Sequence, residues 1–80
     1  MSSSHIQAVV LSKEFYSKKG SEKFIKKNNF HPIKKMHETI NLYRYRIREP
    51  DYDKYFYRIK AIKQGVKFII GYPYEYYYED

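Results

Sequence analysis

Cysteine and tryptophan are missing from the chain, and glycine and proline occur only three times each. Without cysteine there is no disulfide framework and no thiolate-ligated zinc or iron site. No apolar run is long: Ala8 to Leu11 and Phe68 to Ile70 are the longest, far below the roughly 20 residues that a membrane-spanning helix needs. Met1 to His5 has no basic n-region, and Ala8 to Leu11 is too short for a signal-peptide core. An intracellular location without membrane contact is therefore expected. Catalytic motifs are absent too: there is no nucleophile elbow, no phosphate-binding glycine loop, no cysteine nucleophile and no HExxH. Glu49, Asp51 and Asp53 cluster around Pro50, where acids serve turn chemistry. The reading is that the chain is not an enzyme, with no catalytic residue and no cofactor.

What is present is base and phenol. The 80 residues hold 16 Lys+Arg against 9 Asp+Glu, for a net charge of +7, together with 11 Tyr and 5 Phe. The length allows one domain, 1–80, and tyrosine must supply much of its packing, because its ring buries well while its hydroxyl needs a partner or water. The charge is uneven. Residues 73–80 carry three acids and no base, so residues 1–72 hold all 16 bases and six of the nine acids. The chain divides into a folded body over 5–72 and an acidic, tyrosine-rich tail over 73–80. A basic body of this kind suits a polyanionic partner, or a tail that folds back to screen it.

Alternation and breakers predict the elements. Residues 5–12 read as a short, largely buried strand. Ser17 is a helix N-cap, Glu22 and Lys26 form an i, i+4 pair, Asn29 suits a left-handed C-terminal position and Pro32 prevents resumption, which gives a helix over 17–28. Residues 36–48 read as one long strand with Tyr43, Tyr45 and Ile47 on one parity and Arg44, Arg46 and Arg48 on the other. After the turn at Pro50, strands are expected over 54–62 and 66–71, joined at Gln64-Gly65, with Pro73 ending the sheet. The order is β-α-β-β-β: an α+β domain with a curved antiparallel sheet and one main helix on one face. Tyr43, Tyr45, Ile47, Tyr57, Ile59, Val66, Phe68 and Ile70 are expected beneath the helix.

Leu11-Ser12-Lys13, the Lys26-Lys27-Asn28-Asn29-Phe30 turn, Pro32-Ile33-Lys34, Glu38-Thr39, Asn41, Tyr43 to Arg46, and Gly65-Val66 through Gly71 together form a pattern. It resembles a small α+β domain that recurs as short open reading frames in large DNA viruses and some tailed phages. The likeness covers about residues 6–73, and the YRYR segment is its most specific part. Asn29 stands where a glycine is usual and Gly20 where an alanine is usual. The resemblance implies a viral protein acting in the infected host cell or the virion. It brings no activity with it.

The face away from the helix is the candidate site. Arg44, Arg46, Arg48, Arg58, Lys60 and Lys67 are expected to project from it together, with Phe56 and Ile69 among them; guanidinium groups around an aromatic ring suit phosphate contact with base stacking. The bland alternative is a wetted sheet face covered by long cationic stems. Paired lysines at 18–19, 26–27 and 34–35 read as a second basic patch or as ordinary solvated surface. His5, His31 and His37 match no metal-ligand spacing, and no metal is expected. Tyr72, Tyr74, Tyr76 and Tyr78 alternate in the tail and could add a strand to a sheet edge. The leading expectation is non-enzymatic nucleic-acid binding by the basic face. The rival is a protein-interaction module, a virion component or a factor engaging a viral or host complex through those tyrosines and the basic face.

Overall fold

The computed structural model describes residues 3–77. Strands β1 (His5–Ser12), β2 (His37–Glu38), β3 (Leu42–Arg46), β4 (Tyr55–Lys63) and β5 (Val66–Pro73) form one antiparallel sheet in the order β2-β3-β1-β5-β4. Helix α1 (Lys18–Lys27) lies on one face, and a single turn, α2 (Tyr74–Tyr77), follows β5 directly. The α+β class is as expected, but the order is not the four-strand one, and the sheet is not strongly curled.

Two of the differences come from turns. The stretch expected as one strand over 36–48 reverses at 39–41. The Thr39 N–H donates to the Leu42 carbonyl at 2.9 Å, and the Thr39 hydroxyl accepts from the Leu42 N–H at 3.1 Å. This side-chain closure makes a tight turn, with Ile40 at its tip 88% exposed. In the tail, the tyrosine alternation does not continue the sheet, because β5 ends at Pro73 and Tyr74–Tyr77 turns into α2.

The third difference is a change of phase. Val9 pairs with Tyr45 and Phe68, and Leu11 with Tyr43 and Val66. These side chains meet Ile25 of the helix in the core. The register shifts between Ala61 and Lys63, so Ile62 is an extra, unpaired residue. Such a bulge exchanges the faces of every residue beyond it. Lys60 therefore lies opposite Phe68 and Arg58 opposite Ile70, on the helix face, while Ile59 lies opposite Ile69 and Tyr57 opposite Gly71, on the open face. The expectation that Tyr57 and Ile59 sit beneath the helix is corrected, as is the grouping of Arg58 and Lys60 with Arg44. A second bulge at Gln7 brings Ile6 back to the helix face, opposite Ile70. Its carbonyl accepts from both the Ile47 and Arg48 N–H groups, at 2.8 and 3.1 Å.

The helix has the ends its sequence predicts. The Ser17 hydroxyl accepts from the Gly20 N–H at 3.0 Å. At the other end Asn29 adopts φ 58°, its N–H donates to the Lys26 carbonyl, and the Phe30 N–H donates to the Ile25 carbonyl. This is a Schellman closure with asparagine in the left-handed position, and it folds Phe30 onto the core, its ring 5.7 Å edge-on from Phe68. Ser21, fully buried, fixes the helix to the sheet. Its hydroxyl donates to the Lys18 carbonyl at 2.7 Å, so in the 2.7 Å contact with the Tyr45 hydroxyl the phenol is the donor.

Asn29→Gly relieves the left-handed strain and should raise stability by about 0.5–1 kcal/mol, whereas Asn29→Ala should lower it by about 1 kcal/mol. Thermal unfolding followed by circular dichroism reads this as shifts of several degrees in opposite directions. Ser21→Ala strands a buried phenol donor and should cost about 1–3 kcal/mol. The Ser21→Ala/Tyr45→Phe double variant should cost less than the sum of its singles, which urea unfolding of the four-member cycle measures.

Candidate polyanion-binding site

Among the described residues, no helix covers the open face of the sheet. One row, His37, Arg44, Val10, Lys67 and Ala61, crosses all five strands; the next holds Arg46, Ala8, Ile69 and Ile59. Arg44 and Lys67 are both opposite Val10, hence about 10 Å apart across β1. Ile69 shares the open face with Arg44, Arg46 and Lys67, as expected, but its cross-strand neighbours are the apolar Ala8 and Ile59. Ala8 is wholly inaccessible although no helix lies over it, flanked by the long side chains of Arg46 and Ile69.

Positive charge gathers at the β2-β3 end. The Ile33 N–H donates to the Arg46 carbonyl at 2.9 Å, which lays the segment before β2 along the edge of β3. Lys34, Lys35 and His37 then line a cleft of about 280 Å³ with Arg44 and Arg46. The sequence grouped Arg44 and Arg46 with Arg58, Lys60 and Lys67, of which only Lys67 shares their face, and it offered Lys34-Lys35 as a second basic patch or ordinary solvated surface. The turn at 39–41, which folds β2 back onto β3, brings the two sets together. A carboxylate already bridges part of this cluster. Glu49 Oε1 is 3.2 Å from Lys34 Nζ, and its Oε2 is 3.5 Å from Arg46 Nη1. These groups are therefore spaced to grip a bidentate oxyanion.

The other expected site residues are dispersed. Arg48 lies beyond the end of β3 and lines a separate depression with His5, Asp51 and Tyr55. Phe56 is on the helix face, stacked on Tyr72 at 5.5 Å with the Arg58 guanidinium 4.9 Å above its ring. It is not the stacking platform among Arg44 and Arg46. Tyr74 also packs against Phe56, at 6.0 Å, and its hydroxyl donates to the Tyr52 carbonyl at 2.6 Å. Of the tail tyrosines, Tyr72 and Tyr74 thus have intramolecular packing, while the Tyr76 side chain and Tyr78 fall outside the described residues. Aromatic rings do occur on the open face. Tyr55 and Tyr57 stand edge-on to His5, at 4.6 and 6.3 Å, and Tyr52, 70% exposed, packs on Tyr57 at 5.2 Å. Gly71 makes room for this cluster: a Cβ there would sit 2.7 Å from Tyr57 and 2.9 Å from His5.

Asp51 and Glu38, like Glu49, are engaged in structure. Asp51 Oδ1 accepts from the Asp53 N–H at 3.1 Å, and Glu38 takes a 2.5 Å hydrogen bond from Lys13 that holds its carboxyl below the usual range. Among the described residues, no group of three or more His, Cys, Asp or Glu side chains is placed to hold a metal ion. No helix among the described residues is long and apolar enough to cross a membrane. No protein-family model, curated protein or solved structure matches the chain.

Burial first, and then the Arg48 charge, push the His5 pKa down from its ordinary value. The unfolded chain therefore binds a proton at a higher pH than the folded one. Stability contributed by neutral His5 is full above the unfolded pKa of about 6.5 and is lost as pH falls through that value toward the lower folded one. The melting temperature should drop between pH 7.5 and 5.5, and His5→Gln should flatten that drop, as a thermal melt series in matched ionic strength will show.

Proposed function

We propose that the chain is a small, non-enzymatic binding protein that takes up nucleic acid on the open sheet face, at the cleft formed by Lys34, Lys35, His37, Arg44 and Arg46. The single observation that carries this reading is the convergence of five basic side chains from two segments on one cleft, around a bridging carboxylate. A phosphate would take the place of the Glu49 carboxylate, and Lys67, one strand beyond β1, would meet a neighbouring phosphate. Exposed Tyr52, which packs on Tyr57 of β4 across the open face from the cleft, would offer a ring on which a base further along the strand can stack. The cations contact backbone rather than base edges, so affinity is salt-dependent and sequence preference small. The resemblance to viral open reading frames supports a role in the infected cell or the virion.

Fluorescence anisotropy with a labelled 20-nucleotide single strand tests this. Five phosphate contacts predict an affinity loss of about 100-fold between 50 and 200 mM salt. Arg44→Glu/Arg46→Glu should weaken binding more than about tenfold, and Arg58→Glu/Lys60→Glu, the same charge change on the other face, less than about threefold. Absence of binding at 50 mM salt, or equal losses from the two pairs, would overturn the assignment.

A further inference from the structure

We infer that the outer edge of β4 is a docking site for an extended, acidic segment of a partner protein, added to the sheet as a sixth strand. β4 is the longest strand, nine residues, and has a neighbour on one side only. Residues 58–63 are exposed on both faces, and among the described residues no turn or loop backbone hydrogen bond reaches 57–63. An edge of this length is ordinarily shortened or covered, because its free N–H and C=O groups template further pairing. Here it is left open save at the Tyr57 carbonyl, which accepts from the Arg58 guanidinium at 3.2 Å, and it is guarded by charge.

The bulge at Ile62 gives the edge two different sides. On the helix face, beyond the reach of α1, it presents Arg58 and Lys60; on the open face it presents Ile59 and Ala61. Ile59, 70% exposed, ends an apolar row that runs through Ile69 to Ala8. A second copy of the chain fits badly. Antiparallel pairing centred on Ile59 would set Arg58 of each copy directly opposite Lys60 of the other, and like charges in cross-strand pairs are destabilising. A segment with glutamate or aspartate at every second position and β-branched residues between satisfies both sides at once. Its acids meet Arg58 and Lys60, its apolar side chains cover Ile59, and its backbone completes the edge. This surface is separate from the Arg44 cleft, on the opposite edge of the sheet.

The test is a titration of the ¹⁵N-labelled chain with an acetylated, amidated nine-residue peptide of alternating glutamate and valine. Its counterpart has lysine in place of glutamate. The acidic peptide should shift the amide resonances of 57–63 and slow their hydrogen exchange, and it should bind at least about tenfold more tightly than the lysine peptide. In Arg58→Glu/Lys60→Glu, whose fold the same spectra monitor, the preference should invert. Equal binding of the two peptides, shifts centred on Arg44 and Arg46 instead of β4, or protection of 57–63 by self-association without peptide would overturn the inference. So would a single-stranded oligonucleotide that produces the same β4 shifts.

Discussion

Strand β1 is the member that every other part of the molecule is fitted to. It is the middle strand, paired with β3 on one side and β5 on the other, so both of its backbone edges are used. Val9 and Leu11 are completely buried, and their neighbours in register on both sides, Tyr43, Tyr45, Val66 and Phe68, are the side chains on which the helix rests. Burial of this kind is worth about 1.5–3 kcal/mol for each large apolar side chain, a decisive amount in a domain whose core yields only ~3–5 kcal/mol net. A one-residue slip of β1 would turn Val9 and Leu11 to the open face and Ala8 and Val10 to the helix. The register is accordingly fixed by packing, and the distribution of charge follows from it.

Two extra residues decide that distribution. The bulge at Gln7 lets Ile6 rejoin the core, and the bulge at Ile62 rotates Tyr57 to Ala61 by one position relative to an unbroken hairpin. Without the second bulge Arg58 and Lys60 would lie in the rows of Ile69 and Gly71, beside Lys67 and the Arg44 cluster. With it, cationic charge is divided between two faces and two opposite edges. Gly65 anchors the hairpin that sets the phase. Its φ of 83° suits glycine, and a Cβ would lie 2.8 Å from Phe15. The turn is therefore held in one place, and the bulge, not a variable loop, carries the offset.

Much of this fold was legible in the sequence because it depends on local chemistry. The Ser17 cap, the left-handed Asn29, the Gln64-Gly65 hairpin and the inward set Tyr43, Tyr45, Val66 and Phe68 are all short-range signals that the packing did not override. What was not legible depends on counting across a ladder. A bulge leaves no mark on alternation: KYFYRIKAI reads equally well in either phase, since aromatic, aliphatic and cationic residues occur on both parities. The Thr39 turn was hidden for a related reason, because its closing group is a hydroxyl in a segment otherwise fit for a strand. The candidate site was thus half visible. Arg44, Arg46 and Lys67 could be grouped from parity alone, while Lys34, Lys35 and His37 joined them only through the hidden turn. A Thr-x-Asn sequence before an aromatic strand is the signal that could have revealed it.

The way the elements are tied together separates stability from binding. Three hydroxyls of tyrosine act as fasteners: Tyr45 to Ser21 of the helix, Tyr57 accepting the Asp51 N–H of the turn at 2.7 Å, and Tyr74 donating to the Tyr52 carbonyl. The three ion pairs among the described residues, by contrast, all have partly exposed side chains, where each contributes about 0–1 kcal/mol and weakens with salt. A chain with 16 bases and 9 acids must leave at least seven cations without an internal acidic partner of their own, and neutral phenols supply cross-links between its elements. The consequence is a fold held by salt-insensitive contacts that carries unneutralised cations on its surface. Rising salt screens the cations of the open face while leaving the contacts that hold the body intact, so that surface electrostatics and folding are governed by different forces in the same small domain.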